Sequence, residues 1–241
     1  MLKVFKNKTD LAFTFCEELL KLSKTKSEFF LSLSGGSTPR IIFETIANDY
    51  RKKIKWDKLH LFWSDERCVP PADDESNFGM TKKYLLDYIK IPEENIHRIM
   101  GESDPQFEAK RYSDEIEKTV NLVNGIPKFD LIMLGIGEDG HTASIFPDQM
   151  HLLNSQKICD VAIHPSTGQK RITMSGRVIN NSDAVIFLVT GKSKAVILKE
   201  ILEEKKKIYP AEFINPVSGN LNYFVDEEAS SLLDKQTILF S

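Results

Sequence analysis

Phe29-Phe30-Leu31-Ser32-Leu33-Ser34-Gly35-Gly36-Ser37-Thr38-Pro39-Arg40 is a strand-length apolar run that breaks into small residues and then meets a proline. A run this short and this continuously apolar reads as a strand buried on both faces. Pro39 fits the first turn of a helix, predicted over residues 39–49. Between strand and helix, two glycines let backbone amides turn toward a ligand, the hydroxyls donate, and the helix N-terminus favours an anion. A phosphate is the natural guest. The P-loop lysine is missing, so a nucleoside triphosphate is not implied. A plain strand–helix turn with a capping serine would use the same residues.

Working outward, the same cassette recurs. Residues 9–24 place Leu11, Phe15, Leu19 and Leu22 at helical spacing. His60–Ser64 reads as a second strand, ending in Asp65-Glu66-Arg67, and Ser76 can cap a helix running to residue 89. Residues 104–122 look helical, and Phe129–Leu134 is a strand ending at Gly135. Arg171–Met174 and Ala184–Val189 are further strands, the latter followed by Gly191 and a helix to residue 203. Leu221–Val225 and a short helix from Asp226 close the chain. Strands alternating with helices predict an α/β fold, a mostly parallel sheet covered on both faces. Ligands of such sheets sit outside the carboxyl ends of the strands. Residues 34–39, 65–67, 135–142 and 190–194 each follow a predicted strand, so they should meet at one edge.

Composition narrows the function classes. The 241 residues are 41% hydrophobic and 28% charged, with a net charge of −3. That balance excludes disorder and argues against a nucleic-acid partner, which would call for a basic surplus. Nothing demands more than one domain over 1–241. The longest apolar runs are strand-sized, far short of a membrane span, and polar residues interrupt the N-terminus before a signal peptide could form. Cys16, Cys68 and Cys159 are odd in number and widely spaced, which argues against disulfides or zinc and for a reducing cytoplasm.

Gly135-Ile136-Gly137-Glu138-Asp139-Gly140 matches the dinucleotide pattern after a strand, with Asp160 at the expected distance. That reading fails on three counts. Glu138 and Asp139 would meet the pyrophosphate, Pro147 cuts the following helix, and the motif lies past mid-chain. A catalytic turn fits better. His141 follows Asp139 at i+2, and a neutral histidine oriented by a carboxylate is the usual base for activating water. Gly140 and Thr142-Ala143-Ser144 leave the ring accessible, which favours this over a purely structural histidine. His60, His97, His151 and His164 lack such a setting. Asp65 and Arg67, two apart at a strand end, point to one side. They suit sugar hydroxyls and a carboxylate product, or a simple ion pair. Arg171, Lys192 and Lys194 are cations near predicted sheet ends, where surface solvation is the ordinary alternative.

With these residues in view, the chain resembles the bacterial-type 6-phosphogluconolactonases from near one terminus to near the other. The matching stretches are LSLSGGSTPR (31–40), WSDERCVP (63–70) with Ser76-Asn77, FDLIMLGIGEDGHTASIFP (129–147), RITMS (171–175) and VTGKSKA (189–195). PVSGNLNYFVDEEA (216–229) matches more loosely, and GIGEDGHTASIFP is the specific one.

The resemblance implies a three-layer α/β/α sandwich, a modified Rossmann-like fold shared with sugar-phosphate isomerases and hexosamine-phosphate deaminases. It implies hydrolysis of 6-phospho-D-glucono-1,5-lactone in the oxidative pentose phosphate pathway, without metal or cofactor. His141 then looks like the general base and Asp139 its electrostatic partner, with Asp65 and Arg67 at the substrate. Gly35, Gly36, Ser37, Thr38, Arg171 and Lys194 look like the phosphate cradle. The expected partner is a small phosphorylated sugar lactone met by a monomer. Glucosamine-6-phosphate deaminases are the nearest rival. They continue after the histidine as Ile-Ala-Phe-Asn-Glu-Pro, with a catalytic glutamate where this chain has Phe146, and have Asp-Glu-Tyr where it has Asp65-Glu66-Arg67. A sugar-phosphate-binding module without catalysis would keep the cations but could dispense with His141.

Overall fold

A computed structural model describes residues 1–239. The chain opens with β1 (Leu2–Phe5) and α1 (Lys8–Ser23), whose first turn is capped by Asn7 accepting from Thr9 and Asp10 N–H at 2.9 Å each. β2 (Phe29–Leu33) leads into α2 (Ser37–Thr45), and β3 (Leu59–Trp63) turns directly into the short β4 (Asp65–Arg67). α3 (Asn77–Tyr84) follows, then α4 (Pro105–Thr119) behind an Asp104 cap, and the hairpin β5 (Leu122–Val123) and β6 (Ile126–Pro127). β7 (Leu131–Leu134), β8 (Cys159–Ile163), β9 (Lys170–Met174), α5 (Gly176–Asn180), β10 (Val185–Val189) and α6 (Ala195–Lys199) come next. β11 (Leu221–Asp226) and α7 (Lys235–Leu239) complete the described elements.

The main sheet is parallel throughout, in the order β1-β11-β10-β7-β2-β3. Every residue of β2, β7 and β10 is buried, which is why β7 and β10 read as unbroken apolar runs and β2 as one interrupted only by Ser32. Right-handed crossovers moving one way put α1 and α2 on one face; those moving back put α4, α5 and α6 on the other, giving the three layers. The direction reverses between β2 and β7, so a crevice opens beyond their carboxyl ends.

Several local expectations shift. Arg171–Met174 belongs to a separate antiparallel sheet, β4-β9-β8, that rises from the end of β3. The helix expected from Asp226 is a set of turns, in which the Asp226 carboxylate accepts from Gly191 and Ala229 N–H; α7 starts only at Lys235. The helix after Ser76 ends at Tyr84 rather than residue 89, giving way to a 3-10 turn over Leu86–Tyr88.

Candidate active site

Four loops at the carboxyl ends of β2, β3, β7 and β10 close around one cavity of about 220 Å³. A single trapped water needs only ~10–15 Å³, so this is a ligand-sized space. Gly35, Gly36, Ser37, Thr38, Asp65, Arg67, His141, Arg171 and Lys194 all line it. Asp139 stands behind His141 rather than on the wall, and Lys192 does not reach it.

The glycine-rich loop is shaped by two different demands. Gly36 sits at φ 110°, a backbone region that favours glycine, and starts α2, whose first residues Ser37 and Thr38 line the cavity. Gly35 is needed for space instead: a Cβ there would fall 1.8 Å from Oδ1 of Asn77. Thr38 and Thr190 share a hydroxyl–hydroxyl hydrogen bond at 2.7 Å, tying the β2 loop to the β10 loop.

Across the cavity, Arg67 on β4 lies directly opposite Arg171 on β9. Two like charges face each other here without a carboxylate bridging them among the described residues. Arg171 is buried, and burial together with the Arg67 charge lowers its pKa. Nε of both arginines is buried and has no protein partner among the described residues. Such a pair is stabilised by a bound anion. Lys194 adds a third cation; half-burial lowers its pKa, opposed by Glu138 and Asp139.

Asp65 is held from both ends. Its Oδ2 accepts from Ser144 Oγ at 2.5 Å and its carbonyl accepts from Asn77 Nδ2 at 2.9 Å. Glu66, turned away from the cavity, accepts from Arg67, Asn77 and Phe78 N–H at 2.8 Å each and from Ser76 Oγ at 3.1 Å. Burial raises its pKa, those amides opposing. It thereby locks β4 to the start of α3. The sequence pattern assigns Glu66 and Asn77 no role of their own and Ser144 only its small size beside the ring; Glu66 and Asn77 act through contacts across the loop between β4 and α3, and Ser144 through Asp65, 79 positions away.

The loop after β7 presents His141. Gly137 N–H donates to His141 O at 2.9 Å and Gly140 N–H to Gly137 O at 3.0 Å, so the chain doubles back on itself. Nδ1 of His141 donates to Asp139 Oδ1 at 2.6 Å. An ionised carboxylate only accepts, so Nδ1 carries a proton and Nε2 is the ring nitrogen left free of this contact. Partial burial pushes the Asp139 carboxyl up, but the bond and charge of His141 outweigh it and leave it below the ordinary carboxylate range. A Cβ on Gly137 would strike the imidazole at 2.1 Å. Gly140, at φ 79°, packs on the Tyr209 ring, 2.4 Å from where a Cβ would sit. Gly140→Ala should therefore lower stability by about 2–4 kcal/mol, combining left-handed backbone cost with overpacking. Denaturant unfolding reads this directly; a change within about 0.5 kcal/mol would contradict the contact.

Three of the other histidines have partners of their own. His60 and His97 share a ring-nitrogen hydrogen bond at 3.1 Å, and His164 Nδ1 accepts from Ser166 and Thr167 N–H. Cys68 is half-buried and its thiol is pushed up to about 11, so it is not a ready nucleophile at neutral pH. Phe146 is fully buried, its ring centroid 4.9 Å from that of His141 and 5.2 Å from that of His164.

Residues 6–223 match the family model described as glucosamine-6-phosphate isomerases/6-phosphogluconolactonase. The chain is 43% identical over 220 residues to a 6-phosphogluconolactonase of Haemophilus influenzae, covering 90% of this chain and 93% of that one. It is 45% identical over 187 residues to a 6-phosphogluconolactonase of Treponema pallidum, covering 78% of each. The crystal structure of a 6-phosphogluconolactonase from Thermotoga maritima superposes with a TM-score of 0.82 at 30% identity, covering 94% of this chain and 98% of that one. By sequence and by fold, this chain belongs to the glucosamine-6-phosphate isomerase/6-phosphogluconolactonase family.

Proposed function

We propose that the chain hydrolyses 6-phospho-D-glucono-1,5-lactone to 6-phospho-D-gluconate in the oxidative pentose phosphate pathway, with His141 as general base. The observation that carries this is His141, pinned through Nδ1 by Asp139, on the wall of a cavity that also bears Arg67, Arg171 and Lys194. Nε2 takes a proton from water as its oxygen adds to the lactone carbonyl carbon. The resulting oxyanion is steadied by a cation of the wall, a role we assign to Arg67. When the carbon–ring oxygen bond breaks, the imidazolium returns the proton to the departing oxygen, and the product is a carboxylic acid that ionises. No covalent enzyme intermediate is needed. Arg171, Lys194 and the 35–38 loop hold the phosphate, and Asp65 takes a sugar hydroxyl.

Phe146 favours this reading over a deaminase: its buried ring, 4.9 Å from that of His141, stands at the position where the resemblance puts the deaminases' catalytic glutamate. A coupled assay with freshly generated lactone, corrected for spontaneous hydrolysis, tests the activity. Enzyme-dependent 6-phosphogluconate is expected, and a rate equal to the blank would refute it.

The apolar core is one cluster, which supports a single domain over 1–241, and a monomer completes the proposal. No helix among the described residues is long and apolar enough to cross a membrane. Three free cysteines suit a reducing cytoplasm. Because His141 supplies the base, turnover should survive exhaustive chelation. Among the described residues no three His, Cys, Asp or Glu gather as ligands for an ion. Activity lost to chelator and restored by one divalent ion would overturn the cofactor-free reading.

A further inference from the structure

We propose that Asn77 is a specificity-determining residue that reads a hydroxyl of the sugar ring, side by side with Asp65; this rests on the lactonase reading above. A hydroxylated ring brings O–H donors as well as an anion. Most of the cavity's functional wall offers donors, being made of cations, amides and hydroxyls, although the hydroxyls can also accept. Asp65 and Asn77 are different: they bring side-chain oxygens that accept.

The orientation of the Asn77 amide follows from its surroundings. Its NH2 must face the Asp65 carbonyl, to which Nδ2 donates at 2.9 Å, because the reverse would set two acceptors against each other. Oδ1 is thereby turned the other way, toward Gly35 and the cavity. The residue's backbone is fully engaged: its N–H donates to Glu66 and its carbonyl accepts from Thr81 Oγ1 at 2.8 Å. Asn77 is only 2% exposed, yet its Oδ1 takes part in no hydrogen bond among the described residues. Asp65 likewise commits Oδ2 to Ser144 and leaves Oδ1. Both oxygens open onto one cavity without a protein donor among the described residues, so a ring that enters covers them from water and pairs them through its hydroxyls.

Gly35 fits the same account. Its φ lies outside the left-handed region, so its backbone does not require glycine. The place a Cβ would occupy is taken by the Asn77 amide, with Oδ1 at 1.8 Å and Cγ at 2.4 Å. Glycine at 35 is there to admit Asn77 to the cavity wall, in addition to any contact with phosphate.

The test compares kcat/KM for the phospholactone with that for phospholactones each lacking one ring hydroxyl. Wild type should prefer the parent over one deoxy analogue by roughly 10- to 100-fold, because that analogue leaves a buried acceptor unpaired. In Asn77→Ala the parent should fall by about the same factor while that analogue is nearly unchanged, so the preference collapses. Preferences at the other hydroxyls should persist. Gly35→Ala keeps Asn77 but drives its amide out of place, and should abolish the same preference. A structural role for Asn77 predicts something else: every substrate falls by one common factor and the preference stays. That result, or a wild type indifferent to every hydroxyl, overturns the proposal while leaving the lactonase reading standing. A wild type that does not hydrolyse the parent lactone removes both.

Discussion

His141→Gln lowers kcat by roughly 10²–10⁴-fold while binding of 6-phosphogluconate is largely kept; this is the largest effect expected of any single change. Glutamine preserves a polar side chain of similar reach but cannot cycle a proton near neutral pH. Asp139→Asn should cost less. It keeps a hydrogen-bond acceptor for Nδ1 and removes only the charge that favours the imidazolium. The Asp139 carboxyl, held below the ordinary range by His141, is ionised throughout the neutral region, so that charge is present when it is needed. A thermal melt of His141→Gln separates loss of the base from loss of the loop, since the imidazole also contacts Phe146 and fills the space beside Gly137.

The second large effect belongs to the phosphate. Each charge-assisted contact contributes about 1.5–3 kcal/mol, so two cations make the unphosphorylated gluconolactone poorer by roughly 10²–10⁴ in kcat/KM. Arg171→Ala should lose most of that preference, and the loss should appear mainly in KM, because the phosphate does not change during reaction. The alkaline side of the profile carries a further sign. Burial lowers the Lys194 pKa, with Glu138 and Asp139 opposing, so its charge disappears at a lower pH than an exposed lysine's. KM for the phosphorylated lactone should therefore begin to rise before ordinary lysines titrate near ~10.4, and Lys194→Met should remove that limb. Equal turnover of both lactones would remove the phosphate assignment altogether.

What could be read in advance, and what could not, follows from how far each residue's partners lie along the chain. β2, β7 and β10 are buried on both faces, so apolar runs gave them away. β1 and β8 went unnoticed: β1 is a four-residue edge strand with one buried position, and β8 mixes Asp160 with apolar residues at a sheet edge. The convergence of four loops followed from strand order alone, because each loop comes directly after a parallel strand. The His141–Asp139 contact was legible because the two residues are neighbours in one turn. Ser144 on Asp65, Glu66 beneath α3 and Tyr209 against Gly140 were not; each pairs residues whose meeting only the folded chain creates.

The pH dependence of kcat for wild type and His141→Gln, measured with freshly generated phospholactone and corrected for spontaneous hydrolysis, tests the central claim most directly. Wild type should rise with pH as the base loses its proton, and then level off. In the variant that limb should vanish, leaving a small rate. A folded His141→Gln enzyme that binds 6-phosphogluconate and turns over at the wild-type rate with the same limb would contradict the account.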